Sequence, residues 1–130
     1  MNAARRMRDE HVGSLVVVDE AAGRRIPIGI LTDRDLVVGV LARIDRRIDA
    51  VTVGDVMTSD VVKAWEDDDL ADTWKRMRSY GVRRIPVVDA DGALAGIVAF
   101  DDLVEWLQEQ VNDLTQLLSR ERRQEQERTV

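Results

Sequence analysis

Gly29-Ile30-Leu31-Thr32-Asp33-Arg34-Asp35-Leu36 recurs 67 residues later as Gly96-Ile97-Val98-Ala99-Phe100-Asp101-Asp102-Leu103. Both stretches hold a glycine, an apolar run and an aspartate-leucine pair. Working outward, Val17-Val18-Asp19 meets Val87-Val88-Asp89, Leu15 meets Ile85, and Val12 meets Val82. Arg6-Met7-Arg8 then meets Arg76-Met77-Arg78, now at an offset of 70. The three-residue change in offset falls at a turn, where insertions are best tolerated. Self-similarity of this kind divides a chain into repeated supersecondary units. Each copy reads as helix, strand, turn, strand, helix.

In copy two, Leu70, Trp74 and Met77 follow i, i+4, i+7 spacing, which puts all three on one helical face and Trp74 on the core side. Glu66-Asp67-Asp68-Asp69 stands just ahead of that helix. Carboxylates there either cap the first N–H groups and favour the dipole, or hold a cation. Ile85-Pro86-Val87-Val88 is a short apolar strand, ended by the turn residues Asp89-Ala90-Asp91-Gly92. Leu94 to Val98 returns as a second strand, and Asp101-Asp102 opens the next helix. Copy one repeats this with a strand at Leu15–Val18, a turn through Glu20 to Arg25, a strand at Ile28–Leu31, and a helix from Asp33 through Leu41. Val61-Val62-Lys63-Ala64-Trp65 alternates as a strand ahead of the capped helix. Seventy residues earlier lies a position before residue 1, so copy one is expected to lack its N-terminal strand and the start of its first helix. The expected boundaries are a first repeat at 1–43, a connector at 44–54, a second repeat at 55–107, and an amphipathic helix with a polar tail at 108–130. In the last segment Val104, Leu107, Val111, Leu114 and Leu118 form a short a/d seam. That stripe packs either on the repeats or against a second subunit, and a homodimer is expected.

The chain has 130 residues, with 19 Lys plus Arg against 25 Asp plus Glu and a net charge of −6. Apolar residues make up 45%, enough to fill a core and to exclude wholesale disorder. Cysteine is absent and His11 is the one histidine. Disulfide scaffolds, thiol catalysis and multi-histidine metal centres are therefore excluded. The negative charge argues against nucleic acid as a partner. No apolar run approaches a membrane span, and the N-terminus has no signal-peptide core. The expectation is a cytoplasmic protein without a membrane partner. No serine or lysine has a recognisable base and orienting group, so no enzyme activity is expected.

The doubled pattern resembles a tandem CBS domain pair, the Bateman module. The resemblance rests on the two glycine-to-aspartate stretches, on His11 to Asp19 and Gly81 to Asp89, and on Asp55-Val56-Met57-Thr58 leading into copy two. It implies an α/β (α+β) fold of two β-α-β-β-α repeats packed as a pseudo-two-fold disc, here with a C-terminal helix. It further implies clefts for an adenosyl ligand (AMP, ADP, ATP, S-adenosylmethionine or NAD), no obligatory cofactor, and a regulated protein partner. In the first motif Asp35 either accepts the hydroxyls of a ribose or meets the helix dipole. Thr32 either turns toward the sugar or phosphate or caps the helix. Gly29 lets the backbone run close to a ligand. In the second motif Asp102 is kept, but Ala99 stands where Thr32 has its hydroxyl. Arg83 and Arg84, ahead of Ile85-Pro86, either reach phosphates or pair with carboxylates such as Asp101 or Glu66. Val61 and Val62 lie on the strand against which an adenine would rest.

Overall fold

The computed structural model describes residues 1–43 and 47–129, so the first residues of the expected connector and Val130 lie outside the described residues. The chain divides into two compact units, one running from Met1 to Ile97 and the other beginning at Val98.

The first unit opens with helix α1 (Asn2–Asp9), followed by the strands β1 (Ser14–Ala21) and β2 (Arg24–Thr32). These pair antiparallel from Ser14↔Thr32 to Ala21↔Arg24, with a bulge between Val17 and Val18. The turn is narrower than the sequence implies, because Ala22 and Gly23 both take positive φ, at 52° and 74°. Such two-residue turns match the twist of a hairpin. The opposite charges of Glu20 and Arg25 face each other across the strands. The three extra residues of copy one therefore lengthen the hairpin and leave its loop short. Helix α2 (Asp33–Leu36) continues as a π-helical turn over Val37–Leu41. After a 3-10 turn at Ile48–Ala50 comes the short helix α3 (Val53–Val56).

Strand β3 (Ala64–Trp65) pairs parallel with β4 (Arg84–Val88), in the register Ala64↔Val87 and Trp65↔Val88. The expected strand over Val61–Trp65 is confined to its last two residues. One more step of the ladder would meet Pro86, which has no N–H to contribute. The carbonyl of Lys63 instead accepts from Arg76 Nη1 at 2.7 Å. Between β3 and β4 runs α4 (Leu70–Tyr80), with Asp69 accepting from Ala71 N–H at 2.7 Å as its N-cap. It stops at Gly81, whose φ of 64° is the left-handed stop that glycine permits. The acidic run thus caps and ties its helix, as one of the two expected uses requires. Its buried face is Thr73 and Met77, and Trp74 is 37% exposed, so the indole sits at the rim of that face and not in the core. The cause is geometric: one step along a helix turns a side chain by about 100° away from Thr73. Strand β5 (Leu94–Ala99) lies next to β4 in the sheet order β3-β4-β5. Leu31, Met77, Ile85 and Val88 are completely enclosed and form the centre of this unit.

The second unit is carried by one long helix, α5 (Phe100–Arg128). Of its seam, Val104, Val111, Leu114 and Leu118 are all exposed.

Candidate functional site

The first motif sits where β2 ends and α2 begins. Thr32 Oγ1 accepts from the Asp35 N–H at 3.2 Å, and Asp35 Oδ2 accepts from both the Thr32 N–H and its hydroxyl at 2.8 Å. This is a reciprocal capping box, with two N-terminal donors satisfied by one residue pair. Thr32 and Asp35 are therefore brought together, in the cap. The same arrangement recurs ahead of α3, where Asp55 Oδ2 accepts from Thr52 N–H and Oγ1 at 2.8 Å. The shared T-x-x-D spacing was the signal for this second box, and sequence reasoning passed over it.

Gly29 is buried, and its reason is a side chain. A β-carbon built there would run into Met57 Sδ. Beside it, Ile30 and Thr58 exchange two backbone hydrogen bonds of 3.0 and 2.9 Å. The lead-in of copy two thus lies across β2 of copy one, and Met57 makes the close approach expected of a ligand. In the second motif, Asp102 Oδ2 accepts from Ala99 N–H at 3.4 Å, a weak contact, and alanine has no hydroxyl to return the bond. Asp102 is exposed on α5.

Val61 and Val62 line a cleft of about 550 Å³ together with Pro27, Ser59, Asp60, Lys63, Arg76 and Tyr80. Arg76 is the organiser of its wall. Its Nη1 donates to the Lys63 carbonyl and to Asp68 Oδ2, each at 2.7 Å. Asp68 also accepts from the Trp65 N–H at 3.0 Å. These bonds, the Trp65 N–H foremost and the Arg76 guanidinium next, hold the Asp68 carboxyl below its ordinary value. The motif analysis missed Arg76 and Tyr80 as cleft residues, because only the fold carries α4 to the segment before β3. Thr32, Asp35, Arg83 and Arg84 lie outside this cleft's wall. Arg83 and Arg84 are exposed where β4 begins, whereas Ile85 and Pro86 are enclosed in the core. A second, more apolar cleft of about 570 Å³ lies between the start of α1, the residues Leu36, Val40 and Leu41, and the stretch from Ile48 to Val56. Among the described residues no cluster of His, Asp and Glu is placed to hold a metal ion. No described helix is long and apolar enough to cross a membrane.

The family model for the CBS domain matches residues 1–42 and 53–109, in two segments that follow the two copies. The chain belongs to the CBS domain family. An uncharacterised protein of Methanopyrus kandleri is 38% identical to this CBS protein over 102 residues, covering 78% of this chain and 50% of its own length. The CBS domain-containing protein YhcV of Bacillus subtilis is 34% identical over 101 residues, covering 78% of this chain and 67% of its own length. The chain thus spans about half to two thirds of the length of these curated relatives. Among solved structures, the CBS domain pair of protein MJ0100, in complex with 5′-methylthioadenosine and S-adenosyl-L-methionine, matches with a TM-score of 0.68 at 27% identity. That match covers 85% of this chain and 82% of the other. A CBS-domain containing protein of Agrobacterium tumefaciens matches with a TM-score of 0.66 at 30% identity, covering 79% and 78% of the two chains. The mixed α/β architecture of the present chain is that of these CBS domain pairs, which are generally regulatory and not catalytic.

Proposed function

We propose that this CBS protein is a non-enzymatic regulatory module that binds an adenosyl ligand and passes its occupancy to a regulated protein partner. The observation that carries the reading is the cleft joining Val61 and Val62 to Lys63 and Arg76. Its volume falls within the roughly 300–1,000 Å³ typical of small-molecule sites. Val61, Val62 and Pro27 beside Lys63, Asp60 and the Asp68-bound Arg76 suit a flat base joined to a polar tail. The CBS pair solved with S-adenosylmethionine and methylthioadenosine supports the adenosyl class. In this reading Asp35 offers its second carboxylate oxygen to a ribose while its first keeps the cap with Thr32 in place. Asp102 plays the same part in the other motif. Arg83 and Arg84 extend from the Ile85-Pro86 strand toward phosphate, and Gly29 acts at one remove by seating Met57. No obligatory cofactor is invoked, and AMP, ADP, ATP, S-adenosylmethionine and NAD are the candidates.

A thermal-shift panel of these five compounds, with and without magnesium, tests the proposal. A ligand at about 100 times its Kd adds roughly 2.7 kcal/mol to stability, a shift that is readily seen. With a ligand found, titration of Asp35→Ala and Asp102→Ala should each remove one binding event; undiminished binding in both refutes the ribose assignment. A flat panel favours a second reading, a structural dimerisation unit with vestigial pockets. The exposed Val111, Leu114 and Leu118 on α5 favour that reading. Light scattering that reports a clean monomer well above micromolar concentration would end it.

A further inference from the structure

Helix α5 changes character beyond Glu109, where the match to the CBS family model ends. Val111, Leu114, Leu117 and Leu118 follow within eight residues, and each is more than half exposed. Leu107, Val111, Leu114 and Leu118 are spaced four, three and four apart, so they line one stripe of the helix. Large aliphatic side chains gathered on one exposed stripe mark an interaction surface.

The charges of α5 are sorted along its length. From Phe100 to Asn112 it carries Asp101, Asp102, Glu105 and Glu109 and no cation. Leu114 to Ser119 is uncharged, and Arg120 to Arg123 holds three arginines and one glutamate. Two such helices lying in the same direction would set each acidic stretch, and Glu121 on the stripe, against its own copy. Lying in opposite directions, each acidic stretch meets the arginines of the other helix. Like charges across an interface are costly, and opposite ones fix its register. The apolar stripe fits the second arrangement. With Val111 opposite Leu114 of a second copy, Leu107 falls opposite Leu118, and two-fold symmetry repeats both pairs. Val104 then faces Glu121 at each end of the seam.

We propose that α5 is a self-association surface, and that its occupant is α5 of a second copy of this chain, laid antiparallel and centred between Asn112 and Asp113. The inference rests on the dimerisation reading above, to which it adds the surface and the direction. It does not depend on whether the cleft at Val61 and Val62 takes a ligand. The seam from Leu107 to Leu118 is only about 16 Å long, so the association follows protein concentration.

The chain has no cysteine, so introduced thiols report the pairing directly. Antiparallel pairing keeps the two copies of Glu121 about 25 Å apart, far beyond the roughly 7 Å reach of a disulfide, and sets each beside Val104 of the other copy. Under oxidation, full-length Glu121→Cys alone should stay unlinked, whereas an equal mixture with Val104→Cys should give the mixed disulfide dimer. Light scattering of the unaltered chain should report two copies at about 100-fold above micromolar concentration, and the dimer should weaken as salt screens its paired charges. Leu114→Glu should give the mass of one copy with unchanged helical circular dichroism. The thiol pair reads the direction even if that variant disturbs the helix. A monomeric unaltered chain overturns this inference and the dimerisation reading together. A dimer that survives Leu114→Glu, that tightens with salt, or in which Glu121→Cys links to itself overturns this inference alone.

Discussion

Gly29 and Gly96 occupy the same place in two copies of one motif, yet only the first is needed as glycine. At Gly29 the demand comes from outside the motif, from Met57, and the same lead-in adds the Ile30–Thr58 bonds. The contrast continues three residues on. Thr32 and Asp35 satisfy each other in a closed box, while Asp102 reaches Ala99 N–H through one long bond. A repeated sequence therefore gives a repeated backbone but not repeated energetics. What differs is the neighbour that arrives from elsewhere in the chain.

The largest effect that sharpens this comparison is at the glycines. Gly29→Ala should lose about 1 kcal/mol in urea unfolding, because the new methyl must push the half-buried Met57 side chain aside. Gly96→Ala should stay within about 0.5 kcal/mol, as surface changes do. Equal losses at both sites would break the comparison. Next come the aspartates: Asp35→Ala should cost about 1 kcal/mol through loss of the cap, and Asp102→Ala less than about 0.5 kcal/mol.

The smallest effect separates Arg76 from its counterpart Arg6. Arg6 makes only an exposed 3.8 Å pair with Glu10, a geometry that contributes little. Arg76 ties Asp68 and the Lys63 carbonyl together. Because Asp68 is held below its ordinary value of 3.8, its contribution is fully present above that pH. It is lost as the pH falls through the lower, folded value. Asp68→Asn should therefore narrow the stability gap between neutral and acidic solution, most visibly below about pH 4. Arg6→Ala should leave the acid profile unchanged. Parallel profiles for Asp68→Asn and the unaltered chain would remove Asp68 from this role.

Most of the fold was legible from local chemistry. The strands at Leu15–Val18 and Ile85–Val88 and the acidic cap ahead of α4 depend on residues close in sequence. The hairpin turn was misjudged because Ala22, a poor candidate for positive φ, accepts it beside Gly23. The strand at Val61–Trp65 was overextended because the alternation of its own side chains carries no record of Pro86 on the partner strand. Trp74 was misplaced because a stripe of large residues marks a face only to within a wide arc, and the smaller Thr73 took its centre. In the candidate site, the Thr32–Asp35 pair could be read from spacing alone. The cleft wall at Arg76 and Tyr80, and the cover of Met57 over Gly29, arise from segments that meet only after folding.

The Ile30–Thr58 bridge also sets an order of events on the ribosome. The β1–β2 hairpin is local and can close as soon as Thr32 has emerged. Its motif is finished only when Met57 and Thr58, 27 and 28 residues beyond Ile30, reach it. Closing a loop of that length costs entropy that the two bonds and the methionine must offset. During synthesis from the N-terminus, the nascent hairpin therefore waits with Gly29 uncovered until the next repeat has begun.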